Sequence, residues 1–382
     1  MKLSTILALG VSCVAATPLN FVEQIPLIGE RIKVHDLEKN HASLFNLHRE
    51  LVERPSVSGN EDDVATYLEA YLRNRNFTVE TQVVDGNEAR RDVYAYMGSK
   101  RDNKVLLTSH IDTVPPFFDY RIEGNKIYGR GSVDAKSCVS AMITAFQELR
   151  EEGNIEEGDL AMLFVVDEEF HGRGMKNANK YIDTTWDAVI FGEPTELKLG
   201  VGHKGIAIAS YEVEGKASHS GYPELGVSAN EILVKALNDL MNTPLPESKL
   251  LGPSTLNLGQ INGGVAPNVV PGFANTTVSI RIADGFDEVI NILERFPDSY
   301  ERMKRVGDLY AVPPQYLSYE VPGFESIILA YSTDIPNIDG DFTRHLYGPG
   351  SIHVAHGANE YVTFDDLVES VNGYKKLVLH NL

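Results

Sequence analysis

The stretch Leu160–Gly172, LAMLFVVDEEFHG, sets seven apolar residues directly before three carboxylates and a histidine. An unbroken apolar run of that length, without polar alternation, reads as a strand buried on both faces, as in a parallel sheet covered by helices. Asp167, Glu168 and Glu169 arrive together at its carboxyl end. Open α/β sheets bind their ligands beyond that edge. Two other apolar runs end in the same way. VLLTSHIDTV (105–114) carries His110 and Asp112, and WDAVIFGEPT (186–195) carries Glu193. Between these runs, KSCVSAMITAFQELREEG (136–153) places Val139, Met142, Ile143, Phe146 and Leu149 on one helical stripe, with Gly153 as its stop. Asp134 lies just before this helix, in the glycine-rich YGRGSVDAKS (128–137). Upstream, the spacing of Leu37, Leu44, Leu47 and Leu51 predicts a helix over about 36–53, and Val64, Leu68, Tyr71 and Leu72 predict another over about 61–75.

Near Gly200 the pattern changes. GIAIASYEVEG (205–215) alternates apolar and polar residues, as a half-buried antiparallel strand does. A helix over 228–241, strands STLNLGQI (254–261) and ANTTVSIRI (274–282), a helix over 286–295 and a closing strand near 316–320 complete the expectation of a small inserted α+β domain. ESIILAYSTDIPNI (325–338) is expected to rejoin the main sheet before a last helix from Thr363. The expected layout is a catalytic domain in two parts, 33–200 and 316–382, with the inserted domain at 201–315.

The bulk numbers agree with two domains and exclude some alternatives. A chain of 382 residues exceeds what one core usually serves. A formal net charge of −20 argues against nucleic acid or an anionic membrane surface as partner. MKLSTILALGVSCVAATP (1–18) reads as a secretory signal, with Lys2 at its start and cleavage after Val14-Ala15-Ala16, so residues 1–16 are expected to be removed and the protein secreted. No later run has the length of a membrane-spanning helix. Cys13 falls in that segment, which leaves Cys138 alone and no internal disulfide. Asn76-Phe77-Thr78 and Asn275-Thr276-Thr277 are candidate glycosylation sequons.

Acids gathered at neighbouring strand ends repel one another and need protons, cationic side chains or metal ions. Imidazole and carboxylate together suit Zn²⁺ and similar ions. At this point the motifs are informative in combination. SHIDTVPP, GRGSVDAKS, VVDEEFHGRG, FGEPT, ASHSGYPELG, NGGVAPNVVP, SIRI and GPGSIHVAHGANEYV occur in that order from about residue 33 to the end. The set resembles the M20 metallopeptidase family, which includes glutamate carboxypeptidase, aminoacylase, acetylornithine deacetylase and succinyl-diaminopimelate desuccinylase. The resemblance implies a mainly parallel-sheet α/β zinc-exopeptidase catalytic domain with an inserted ferredoxin-like α+β lid or dimerisation domain. It also implies two Zn²⁺ per chain, with Co²⁺ or Mn²⁺ as alternatives. His110 and Glu193 would hold one ion, Glu169 and His356 the other, and Asp134 would bridge them. Glu168 would act as general acid/base on a metal-activated water, and Asp112 would orient His110. His219 would polarise the scissile carbonyl, coming from the neighbouring subunit in dimeric members. Asn268, Arg281 and Gly350 would contact substrate, with Arg281 clamping a free carboxylate.

The expected activity is therefore cleavage of a C-terminal peptide bond, with an N-acyl-amino-acid deacylase as the alternative and a non-catalytic binding or dimerisation protein as a remote one. The partners expected are a peptide or N-acyl amino acid and a second copy through the inserted domain. Three positions depart from the family pattern or stay unassigned: Ser137 where glycine is frequent, His171 likewise, and His353. Cys138 reads as a packed core residue.

Overall fold

The computed structural model describes residues 33–182 and 185–382. The expected signal segment, with Cys13, lies outside the described residues. The first part of the chain runs α1 (Ala42–Val52), α2 (Asp62–Arg73), β1 (Phe77–Val84), β2 (Asn87–Met97), β3 (Val105–His110), α3 (Lys136–Glu151), β4 (Leu160–Val165), α4 (Arg173–Tyr181) and β5 (Ala188–Gly192). The inserted domain follows as β6 (Gly205–Glu214), α5 (Ala229–Met241), β7 (Thr255–Gly263), β8 (Phe273–Ile282), α6 (Phe286–Arg295) and β9 (Met303–Val312). The chain ends with β10 (Thr343–Tyr347) and α7 (Phe364–Asn381).

The main sheet has the order β1-β2-β4-β3-β5-β10. The pairs β4/β3, β3/β5 and β5/β10 are parallel, while β1/β2 and β2/β4 are antiparallel. Every residue of β3, β4 and β5 is buried. Their predominantly apolar sequences suit this burial, because helices cover both faces, and in β3 the polar Ser109 Oγ donates to the Gly192 carbonyl at 3.0 Å. α3 packs against α1 and α7 and carries the core through Val139, Met142, Ile143 and Phe146. Because these three parallel strands are neighbours, their carboxyl ends lie side by side at one rim.

The sequence reading missed the β1–β2 hairpin. Asp85 and Gly86 join the strands as a two-residue turn, both in the left-handed region at φ 53° and 69°. An Asp-Gly pair between strands is the residue signature of that turn, so the signal was present.

In the inserted domain the order β7-β8-β6-β9, all antiparallel, with the chain order β-α-β-β-α-β, is the ferredoxin-like arrangement. Ala207, Ala209, Tyr211 and Val213 of β6 face α5 and α6, where Leu233, Leu237, Val289 and Leu293 cover them. The alternate residues of β6 and β8 are only half-buried, on the helix-free face.

Two expectations need correction. The fourth strand of this sheet is β9, at 303–312, not a segment near 316–320. A register shift between Val306 and Tyr310, at Gly307 with φ 68°, breaks its alternation and hid it from a period-two reading. The main sheet is rejoined by β10, not by 325–338. Ser326–Leu329 instead pairs with Leu199–His203 in a small three-stranded sheet that also takes in Gln315–Tyr316. Leu329 joins the core cluster of Leu106, Leu163 and Phe191 beside the main sheet, whereas Ile327 is only partly buried and Ile328 is exposed.

Candidate metal centre and active site

His110 is the last residue of β3, Glu193 follows β5, and Glu168 and Glu169 lie just beyond β4. Asp134 precedes α3, and its peptide bond to Ala135 is cis. His356 comes from the loop after a short 3₁₀ turn, Ile352–Val354, with its backbone in the left-handed region at φ 61°. These six side chains converge. Asp134 lies between the two histidines, with Oδ1 3.1 Å from His110 Nε2 and Oδ2 3.2 Å from His356 Nε2. His110 Nε2 is also 3.7 Å from Glu193 Oε1, and His356 Nε2 is 2.9 Å from Glu169 Oε2. The carboxylate and imidazole atoms of His110, Asp134 and Glu169 fall within 4.8 Å of one another, as do those of His110, Glu168 and Glu193.

The electrostatics describe a pocket with more negative charge than it can hold unaided. Burial raises the Glu193 and Glu168 carboxyls well above the usual range, and the Asp134 charge at Glu193 and the Glu193 charge at Glu168 add to it. Burial and the charge on Asp134 also raise Glu169. At His110 burial opposes the charged form, but hydrogen bonds to Asp112 and Asp134 and the charges on Glu193 and Glu168 outweigh it and raise its pKa well above normal. Hydrogen bonds to Asp134 and Glu169 push His356 up to about 10. Burial works to raise the Asp134 pKa, yet the two histidines hold it below the usual carboxylate range. Glu169 Oε1 is buried without a hydrogen-bond partner. Two imidazoles, three outer carboxylates, a carboxylate shared between the histidines and an orphaned acceptor form a donor set suited to divalent cations.

Buried contacts behind the cluster hold it in place. Asp112 accepts from the backbone N–H of Glu168 at 3.0 Å and of Glu169 at 3.2 Å, and from Ser58 Oγ at 2.7 Å. The link from Asp112 to His110 differs from the expected one. His110 Nδ1 lies 3.0 Å from the Asp112 carbonyl oxygen and 3.6 Å from its carboxylate. The carboxylate is occupied instead with fixing the Glu168–Glu169 backbone. Asp167 is turned away from the cluster. Its backbone is left-handed at φ 65°, its carbonyl accepts from Gly172 N–H at 2.7 Å, and its carboxylate pairs with Arg90 at 2.8 Å. Arg90 also holds buried Glu61 at 2.8 Å.

Several supporting residues sat unassigned within the quoted motifs. Arg130 of GRGSVD and Glu360 of ANEY form a buried pair at 2.6 Å. Glu360 also accepts from the Val133 and Asp134 N–H groups at 3.1 and 3.3 Å. His48 Nε2 donates to the Ser132 carbonyl at 2.9 Å, and Lys136 Nζ to the Arg54 carbonyl at 2.8 Å. Asp334 shares a small cavity with His110, Glu168 and Glu193, and burial lifts its carboxyl to about 6. No spacing rule finds such residues, because their partners lie up to 230 positions away.

The inserted-domain candidates form a second group. Ser218–His219 pairs with Val269–Val270 in a two-residue ribbon, and Ser220 N–H donates to the Asn268 carbonyl at 3.0 Å. His219 and Asn268 are therefore neighbours, both exposed. His219 Nδ1 accepts from Gly221 N–H at 3.0 Å, and its contacts stay within the inserted domain. The fold does not bring them to the carboxylate cluster within one chain. Arg281 stands on the helix-free face of β8, opposite Ile206 of β6, and among the described residues it has no carboxylate partner. Tyr310 of β9, which the sequence reading did not single out, lies on the same face opposite Ile208.

Gly350 has φ 69°, and a Cβ there would lie 2.4 Å from Val133 Cγ2, so its close approach is to the Asp134 loop. Ser137 Oγ donates to the Val133 carbonyl at 2.7 Å, and Cys138 is buried, its thiol raised to about 12 by that burial. His171 lies 3.6 Å from Asp167 against Phe170, and His353 is exposed. Asn76 is exposed beyond α2, whereas Asn275 lies within β8 and its Oδ1 accepts from Asn262 at 3.0 Å. Among the described residues no helix is long and apolar enough to cross a membrane.

Comparison with known proteins places this geometry in context. A family model described as a peptidase dimerisation domain matches residues 201–299, and one described as peptidase family M28 matches residues 92–192. A peptidase M20 domain-containing protein of Schizosaccharomyces pombe is 51% identical over 342 residues, covering 89% of this chain and 85% of that protein. A probable carboxypeptidase of Aspergillus oryzae is 40% identical over 418 aligned positions, covering 97% and 98% of the two chains. The crystal structure of a tripeptidase from Staphylococcus aureus superposes with a TM-score of 0.75 at 21% identity, covering 89% of this chain and 98% of that one.

Proposed function

Because the chain belongs to the M20 metallopeptidase family, we propose that this metal-dependent hydrolase is a di-zinc exopeptidase that removes the residue bearing a free C-terminal carboxylate. The observation that carries this reading is the placement of Asp134, one oxygen 3.1 Å from His110 and the other 3.2 Å from His356. That symmetry suits a bridge between two cations, one held also by His110 and Glu193 and the other by Glu169 and His356. Bound there, the ions supply Lewis acidity toward a water and the scissile carbonyl.

The chain's own residues do the remaining work. Glu168 takes a proton from the attacking water and delivers it to the leaving amine nitrogen. Burial and the Glu193 charge raise its carboxyl pKa, the direction that a proton-carrying acid/base group needs. Asp112 fixes its backbone through the 3.0 Å hydrogen bond. Arg281 receives the substrate carboxylate, which gives the half-buried guanidinium a counter-charge. His219, with Asn268 beside it, donates to the scissile carbonyl oxygen. As both are exposed and the inserted domain matches a dimerisation module, the donor is read as coming from a second copy. Secretion, with the first 16 residues removed, belongs to the same proposal.

The test is a pair of measurements on purified protein. Chelation is expected to abolish cleavage, and two equivalents of Zn²⁺ per chain are expected to restore it; full activity in a metal-free preparation contradicts the mechanism. Peptides with a free C-terminus are expected to be cleaved and their C-terminal amides spared. Release of free amino acids from N-acyl amino acids but not from peptides would move the assignment to a deacylase with the same site.

A further inference from the structure

Between the domains lies a cavity of about 390 Å³ that neither the metal cluster nor the main core accounts for. One wall is Pro194, the residue after the proposed ligand Glu193. Arg281 reaches it from the inserted domain. Its floor is the strand that failed to join the main sheet: Ile327, Ile328, Leu329 and Ala330, completed by Ile352 from the turn that leads to His356. Tyr331 closes the end near the cluster, with its hydroxyl donating to the Pro194 carbonyl at 3.0 Å. Ile328 and Ala330 are exposed on this wall and Ile327 is only partly buried, so the cavity offers apolar surface that an apolar group can cover.

Besides Tyr331, the polar side chains lining the cavity are Glu196, Arg281 and the exposed His353. Glu196 at the rim accepts from Ser351 Oγ at 2.9 Å and lies 3.6 Å from Lys198, so its charge is already partnered. Arg281 has no carboxylate partner among the described residues, and burial lowers its pKa from the usual guanidinium value. A half-buried guanidinium facing five aliphatic residues fits a molecule with one carboxylate and one apolar group. Pro194 sets that molecule beside the metal ligands. The volume lies at the lower end of small-molecule pockets, room for one residue rather than a chain.

We propose that this cavity is the side-chain pocket for the residue the enzyme releases, and that it selects bulky aliphatic and aromatic residues over glycine and charged ones. The proposal rests on the exopeptidase reading and extends it to substrate class. Arg281 takes the carboxylate and the Ile327–Ala330 strand with Ile352 takes the side chain. A C-terminal Asp, Glu or Lys side chain loses its hydration against the aliphatic wall, and Gly leaves that wall uncovered.

Two measurements test it. Matched peptides and matched N-acyl amino acids ending in Leu, Phe, Gly, Asp or Lys are compared by kcat/KM. Leu and Phe are expected to exceed Gly, Asp and Lys by about 10- to 100-fold in whichever series is cleaved, the range that apolar contacts give to discrimination. The carboxylate-bearing residue occupies the pocket in both series, so the choice between peptidase and deacylase does not affect this outcome. Equal rates across the five residues overturn the proposal and leave the exopeptidase reading standing. Cleavage of C-terminal amides as fast as acids overturns the exopeptidase reading instead. Binding of free Leu and Gly as products to the Zn²⁺-loaded protein, by calorimetry, gives a readout independent of turnover, and affinity for Gly equal to that for Leu counts against the pocket. Ile328 is 53% exposed, so Ile328→Asp leaves the fold intact. It is expected to lower kcat/KM for Leu at least 10-fold and raise it for Lys; an unchanged preference places the side chain elsewhere.

Discussion

At the rim of the main sheet Asp134 and the Glu168–Glu169 backbone are fastened by buried groups behind them, whereas His219 and Asn268 sit on a two-residue ribbon whose contacts stay inside the inserted domain. Asp134 rests on Glu360 and Arg130, the Glu168–Glu169 backbone on Asp112, and Asp167 on Arg90. Buried hydrogen bonds of this kind hold side chains to one geometry and are costly to leave unmade. The ribbon has no such backing and stays exposed. Metal binding can therefore be complete in one chain, while binding of the scissile carbonyl depends on a surface that must be brought to the rim, by domain closure or by a second copy.

The largest effect that bears on this contrast is expected at Glu168. Glu168→Gln should lower kcat by about 10²- to 10⁴-fold while elemental analysis still finds the full metal content. Loss of metal would make Glu168 a ligand and move the proton transfer to another rim residue. At the ribbon, His219→Ala should lower kcat by about 10²- to 10³-fold with metal content and Tm unchanged, as removal of a single oxyanion donor does. Mixing this variant with Glu168→Gln should recover activity if the donor crosses a dimer. No recovery would return His219 to its own chain by domain closure.

The smallest effect concerns the supports. His48 is buried beneath Ser132 and must remain neutral, since burial lowers its pKa from 6.5 to about 4. Between those values the unfolded chain binds a proton that the folded chain refuses, so stability falls as pH drops through that window. The contribution is about 3 kcal/mol at its upper limit. His48→Gln keeps the donor to the Ser132 carbonyl and should flatten the fall in Tm between pH 7 and 4.5, measured on metal-stripped protein. An equal fall in both proteins would mean that His48 accepts the proton without cost.

Much of this is legible in the sequence. Mostly apolar runs ending in His110, Glu168–Glu169 and Glu193 can be recognised from local order alone, because a strand buried on both faces shows no alternating polar side. The β1–β2 hairpin was marked by Asp85-Gly86 and still escaped notice. β9 was hidden by its bulge at Gly307, which interrupts the alternation that a strand reading needs. The 325–338 segment misled for a different reason: Leu329, Ile335 and Ile338 do join a core beside the main sheet while Ile327 and Ile328 line a cavity, and composition cannot tell either role from that of a main-sheet strand.

The sequence by itself determined the kinds of atom available at the rim and the division into a parallel-sheet domain and an alternating insert, since both follow from residue type and local period. Tertiary structure alone decided the rest. It set Asp134 between two histidines that lie 246 positions apart, gave Asp167 to Arg90 and Asp112 to the Glu168–Glu169 backbone, and left Arg281 facing an aliphatic wall with no carboxylate partner among the described residues. Those outcomes depend on which strands become neighbours and on how desolvation and charge settle among groups distant in the chain. No local pattern encodes that balance, because each group's partner is chosen by the packing of the whole sheet.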